Sequence, residues 1–240
     1  MKTFSALATL LPLLPLTEAL VGLKWSASNV PSRGLRDITF PISIANAPHE
    51  EGYYFAQQYS FNGVSDVGYT GLQPRPDVNN ASIIHAVFSS FVPGSRTNDK
   101  HCHDGADGGA GVSCAIEIKA SYAPMYHLVV KNTRGTTWTG TLVDTVSNKT
   151  THIGTYTLPS GTGGIENTQL GFVEYYPWNA AGGHTCDSLP YTNATFGAPT
   201  STQVGVQAEL DKPYEYGDCD GKVKFDVQEV GRGFEVSVGF

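Results

Sequence analysis

Charge is what this chain has least of. Only 15% of its 240 residues are Asp, Glu, Lys or Arg, and they form no run of like charge. The small imbalance is acidic, a formal net charge of −7. That excludes a nucleic-acid partner, because a phosphate backbone calls for a basic patch. Past the first few residues no apolar run approaches the ~20 residues that span a bilayer. No hydrophobic C-terminal tail invites a lipid anchor either, so membrane insertion is not expected. The absence of C-x-x-C removes the usual signatures of redox catalysis and structural zinc. There is no G-x-S-x-G elbow and no Walker loop. No solenoid or propeller repeat and no convincing amphipathic helix is present.

What is present points to strands and to secretion. Gly is frequent at 27 copies, and 12 Tyr and 11 Phe accompany many Thr and Val, an all-β composition. Met1–Ala19 reads as a targeting segment: Lys2 is the positive start, Phe4–Leu16 the apolar stretch, and Thr17-Glu18-Ala19 ends on a small residue. Cleavage there leaves residues 20–240 as one secreted domain, extracellular or associated with the cell wall. An even set of cysteines, Cys102, Cys114, Cys186 and Cys219, favours two disulfides. Three pairings are possible; Cys102–Cys114 and Cys186–Cys219 are preferred because each brackets a loop-rich stretch. Asn80, Asn148 and Asn193 each open an N-x-[ST] triplet beside a turn signal and are expected to carry N-glycans.

The organising stretch is Gly52–Phe91. Three strand-type runs lie in it, Tyr53–Phe61, Gly68–Gln73 and Ser82–Phe91, each alternating between two faces. Further strands are expected at Asp37–Ala45, Cys114–Ser121, His127–Asn132, Trp138–Thr145, Thr151–Leu158, Gln169–Tyr175, Gln203–Asp211, Lys222–Val230 and Gly233–Phe240. Leu20–Arg36 reads as a lead-in anchored by Trp25, and Gly94–Gly111 and Asn179–Thr202 read as long loops. Ten or more short strands predict an all-β, single-domain antiparallel β-sandwich, with the jelly roll as one form of it.

Three groups of residues are candidates for chemistry. The first is the polar set of the organising strands: Gln57, Gln58, Tyr59, Tyr69, Gln73, Arg75 and His85. Amides and phenols match sugar hydroxyls and aromatic faces stack on sugar rings. A lyase would use Tyr59 or His85 as base, with Arg75 neutralising a uronate. The second is Glu174 with Tyr175, Tyr176 and Trp178. A glycosidase needs a second carboxylate, for which Glu117, Glu166, Asp144 and Glu209 are alternatives. The third is the loop His101–Cys114, where Asp104 and Asp107 could offer oxygens to calcium and where His101 and His103 stand two apart. It lacks EF-hand spacing, so no cofactor is expected, with calcium as the alternative.

The ordered motifs GYYFAQQYSFNG, GYTGLQPRPD, IIHAVFSSF, DGADGGAGVSC and GFVEYYPW resemble a family of secreted fungal and bacterial proteins, the domain of unknown function 3472. The resemblance spans about Gly52–Trp178. It implies a β-rich extracellular domain, sometimes found beside carbohydrate-active modules, and brings no catalytic residues with it. The combined expectation is a protein that binds or processes polysaccharide. Its rivals are a polysaccharide lyase, an effector that engages a host or cell-wall protein without enzymatic activity, and a structural protein of the wall.

Overall fold

A computed structural model describes residues 19–180 and 183–240. The expected leader, Met1–Ala19, therefore lies outside the described residues except for Ala19. In chain order the strands are β1 (Ala19–Ser28), β2 (Asp37–Ser43), β3 (Tyr53–Ser60), β4 (Val67–Val78), β5 (Ala81–Ser90), β6 (Cys102–Ala106), β7 (Gly109–Lys119) and β8 (Tyr126–Arg134). There follow β9 (Thr137–Asp144), β10 (Thr150–Thr157), β11 (Thr168–Tyr175), β12 (Thr192–Gly197), β13 (Gln207–Leu210), β14 (Tyr214–Glu215), β15 (Phe225–Val230) and β16 (Gly233–Val238). One four-residue helix, α1 (Pro177–Ala180), follows β11. Among the described residues no helix is long and apolar enough to cross a membrane.

The strands form two antiparallel sheets packed as a β-sandwich. One is nine-stranded, in the order β13-β1-β11-β3-β4-β5-β7-β6, with β14 also pairing β1. The other is seven-stranded, β10-β9-β8-β2-β12-β16-β15. Aromatic rings fill the space between them. Trp25 of β1 meets Phe40 of β2 edge-on at 5.6 Å. Phe88 of β5 stacks on Tyr156 of β10 at 4.5 Å, and Phe55 of β3 meets Phe196 of β12 at 6.3 Å. Each such side chain contributes about 1.5–3 kcal/mol by leaving water.

The packing is close enough that glycine is required where strands face these rings. A Cβ on Gly140 of β9 would lie 2.2 Å from the Phe88 ring. Gly140→Ala is therefore expected to lower the denaturant midpoint, costing about 1–3 kcal/mol by overpacking. An unchanged midpoint would show that the Phe88 ring has room to move.

The organising stretch behaves as its alternation predicts. Its second and third strands join through Asn79 and Asn80, whose φ values of 52° and 57° make the tight turn that suits a two-residue hairpin. Three expectations need correction. The lead-in is a central strand: Val21, Leu23, Trp25 and Ala27 alternate inward as β1 and pair with β11 on one side and β13 and β14 on the other. The Gly94–Gly111 loop contains β6, held against β7 as a hairpin with two register shifts. The Asn179–Thr202 loop contains β12, which sits between β2 and β16. Both preferred disulfides form, Cys102–Cys114 and Cys186–Cys219.

Candidate active site

The period of two in β3 decides which side chains can work together. Phe55, Gln57 and Tyr59 point between the sheets, whereas Tyr54 and Ala56 point to the outer face of the nine-stranded sheet. Gln57 is 1% exposed, and its Oε1 is buried with no hydrogen-bond partner among the described residues. The Tyr59 hydroxyl lies 3.1 Å from that of Tyr156. Burial, then the Tyr156 phenol beside it, pushes the Tyr59 pKa far above the usual value. Neither residue can share a ligand surface with Gln73, Arg75 and His85, and Tyr59 cannot serve there as a base. Trp178 is also buried: it meets Tyr175 edge-on at 5.6 Å and stacks on His184 at 4.0 Å.

The other candidates do come together, on the outer face. Registered pairs place Glu174 of β11 opposite Tyr54 of β3, and Gln73 of β4 opposite His85 of β5, which in turn faces Glu117 of β7. The pair Phe55 and Leu72 sets Tyr54 beside Gln73, so one row crosses five strands. Arg75 ties the row together. Its Nη2 donates to Gln73 Oε1 at 2.7 Å, its Nη1 to the Tyr176 hydroxyl at 3.3 Å and its Nε to Glu117 at 3.4 Å. His85 Nδ1 stands 3.5 Å from Glu117 Oε1. Burial, aided by Arg75, nevertheless lowers the His85 pKa.

Behind this polar row the outer face is aromatic. Tyr54, Ala56, Tyr69 and Val87 are buried there, with Phe91, Ala115, Phe172 and Tyr176 packed against them. Tyr54 meets Phe172 at 5.5 Å and Tyr69 at 5.9 Å, both edge-on. A sheet with a second apolar cluster on its outer side forms a floor rather than a solvated back.

Glu174 sits at the edge of that floor, 6% exposed. The first residues after β11 turn into α1, which carries Asn179 back over it; Asn179 Nδ2 donates to Glu174 Oε1 at 2.7 Å. Burial raises the Glu174 pKa, the Asn179 bond works against this, and the Asp107 charge adds to it. The Tyr54 hydroxyl is buried with no hydrogen-bond partner among the described residues. Burial first, then the neighbouring Tyr69, Glu174 and Asp107, raise its pKa well above the usual value. Asp107 comes from the β6–β7 turn, which leans over the floor and accepts a 3.4 Å bond from the Tyr69 hydroxyl. The carboxyl whose charge acts on Glu174 is thus Asp107, not Glu117, Glu166, Asp144 or Glu209. Glu117 is four strands away, roughly 19 Å at the usual strand spacing.

Tyr54, Asn179 and the carboxyl role of Asp107 were missed from the sequence. The even-numbered face of β3 was available as a signal, but only the pairing of β3 with β11 shows that Tyr54 stands beside Glu174. Asp104 and Asp107 are both exposed. Among the described residues, two groups of three or more His, Cys, Asp or Glu are close enough to hold a metal: His184, Cys186 and Cys219, and Asp99, His101 and His152. Asp104 and Asp107 belong to neither.

No family model matches the chain, and no curated protein does. Solved structures do match in fold. Scytalido-glutamic peptidase with a transition state analog inhibitor aligns over 93% of this chain and 98% of its own, at 12% identity and a TM-score of 0.49. SCP-B, a member of the eqolisin family of peptidases in complex with the tripeptide Ala-Ile-His, gives the same coverage and identity and a TM-score of 0.44.

The resemblance to domain of unknown function 3472 is corrected accordingly: no family model supports it, and the whole-chain likeness is to eqolisin structures. At these scores that likeness assigns a role to no residue. The glycan reading falls with the resemblance. The surface it required is divided between two faces of the sheet, with Gln57 and Tyr59 sealed inside. A lyase built on Tyr59 loses its base for the same reason.

Proposed function

We propose that this chain is an acid–base hydrolase that cleaves an extended polypeptide laid across the outer face of the nine-stranded sheet, with Glu174 as the general acid and base. The carrying observation is a carboxyl held out of water at the edge of an aromatic floor, its pKa raised by burial and one oxygen fixed by Asn179. Such a group can exchange protons with a water and a leaving amine near its own pKa, where general acid–base catalysis is most effective.

The neighbouring donors suit the carbonyl that such a reaction attacks. Arg75 donates to Gln73 Oε1, which leaves the Gln73 amide N–H as the group it can offer to a substrate. The Tyr54 ring leans over Gly71, and its hydroxyl has no partner of its own among the described residues. In this reading the two groups donate to the carbonyl oxygen and stabilise the charge that develops on it. Arg75 is a positioning residue in this scheme, since it reaches the substrate only through Gln73. The floor of Tyr54, Tyr69 and Phe172 suits alternating side chains of an extended peptide.

Incubation with a denatured protein substrate between about pH 3 and 7, with products mapped by mass spectrometry, tests the reading across the range of a raised carboxyl. Defined cleavage products are expected. Their absence at every pH would reject it.

We further propose that the protein works outside the cell, in keeping with its two disulfides and the oxidising compartment they call for. After expression in a eukaryotic secretory host, glycans are expected at Asn80 and Asn148, which are exposed at turns. None is expected at Asn193, which is 5% exposed and donates to Glu235 at 2.8 Å. Peptide mapping with and without deglycosylation decides; a glycan on Asn193 would mean that modification precedes closure of the β12–β16 pair.

A further inference from the structure

We infer that Asp99, His101 and His152 form a binding site for a divalent transition metal of the zinc type, one that clasps the free edges of the two sheets. Each residue brings one ligand atom, and the three atoms lie within 4.8 Å of one another. The residues come from separate places in the fold. Asp99 and His101 precede β6, the edge of the nine-stranded sheet, and His152 lies on β10, the edge of the seven-stranded sheet. The Cys102–Cys114 disulfide packs between these edges: a Cβ on Gly154 of β10 would come within 2.6 Å of Cys102 Sγ. The backbone carrying two of the ligands is therefore fixed.

The triad is already arranged around Asp99. Its Oδ1 accepts from the His101 backbone N–H at 3.0 Å and its Oδ2 lies 2.5 Å from His152 Nε2. A metal replaces the proton shared in that last contact. The His101 ring stands 5.8 Å from the His152 ring, and its Nδ1 is buried with no hydrogen-bond partner among the described residues. An imidazole with an orphaned nitrogen, set within ligating range of a second histidine and a carboxylate, calls for a cation it can ligate. Two imidazoles and one carboxylate select zinc and its neighbours over calcium or magnesium, which prefer all-oxygen shells. Three protein ligands leave one tetrahedral position for water, reached from the side of His152, whose side chain is 44% exposed. The alternative group, His184 with Cys186 and Cys219, cannot bind in this way because both sulfurs are in a disulfide.

The test titrates chelator-stripped, disulfide-intact protein with Zn²⁺ by calorimetry and follows its thermal midpoint. One equivalent of Zn²⁺ is expected to bind and to raise the midpoint. His152→Ala and Asp99→Asn should each weaken binding by more than the roughly 100-fold that losing an outer hydrogen-bond partner costs a metal site, and should abolish the midpoint shift. His103→Ala, at an exposed histidine close by in sequence, should change neither. Retention of full Zn²⁺ affinity by His152→Ala and Asp99→Asn would overturn the inference, as would wild type that binds no Zn²⁺. Both variants keep the peptidase candidate Glu174 intact, so this outcome is independent of that reading.

Discussion

Glu174→Gln is expected to abolish peptide hydrolysis while leaving the fold intact. Glutamine preserves the shape and the acceptor for Asn179 Nδ2 but cannot exchange a proton. The loss should reach at least the about 10²–10⁴-fold that a positioned acid–base group supplies. A second consequence is read without any substrate. Burial raises the folded-state pKa of Glu174 above its ordinary 4.5. Between 4.5 and that raised value the folded chain holds a proton that the unfolded chain has released, so stability falls as pH rises. The contribution is complete below 4.5 and is lost once pH passes the folded value. Glu174→Gln removes this dependence. Chemical denaturation of both proteins across that window should show the wild type losing ground to the variant as pH increases. Parallel curves would mean that Glu174 is solvated, and the proposed acid–base centre would go with it.

The second large effect concerns the core. Trp25→Ala should lower unfolding free energy by about 3–5 kcal/mol, the usual cost of removing a buried aromatic side chain. Trp25 is fully buried, packs edge-on against Phe40 across the sandwich and donates its indole N–H to the Gln58 carbonyl at 2.9 Å. The change therefore opens a cavity and leaves an acceptor on β3 unpaired. Urea denaturation followed by tyrosine fluorescence measures it. A loss under about 1 kcal/mol would place the site among those that collapse around a deletion.

Trp25 also shows where the sequence was legible and where it was not. Strands with clean alternation, such as Ser82–Phe91, were visible with nearly their observed bounds, because a period of two maps directly onto two faces. β1 has the same alternation but follows closely on the apolar sequence Phe4–Leu16, which hides its start. β6 has no periodicity at all; its shape comes from a disulfide and from Gly105 and Gly108, whose φ values are positive. For the site, the sequence supplied Gln73, Arg75, His85, Glu174 and Tyr176 but could not separate them from Gln57 and Tyr59. The facing of a strand is relative until its partners are known. Only the packing of two sheets decided which side of β3 became core, and only the neighbouring strand revealed Tyr54. Asp99 and His152 are far apart in sequence, so their meeting had no local signal.

The place of β1 bears on how the chain is made. β1, made before every strand it pairs with, has its neighbours in β11, β13 and β14, with Trp25 opposite Gln169 and Leu210. It must wait, with both edges unpaired, until most of the polypeptide has been synthesised. Such non-local closure slows folding and leaves a sticky ribbon open to other chains in the meantime. Biogenesis should therefore depend on holding factors more than the stability of the finished molecule would suggest, and truncations from the C-terminus should aggregate rather than fold in part.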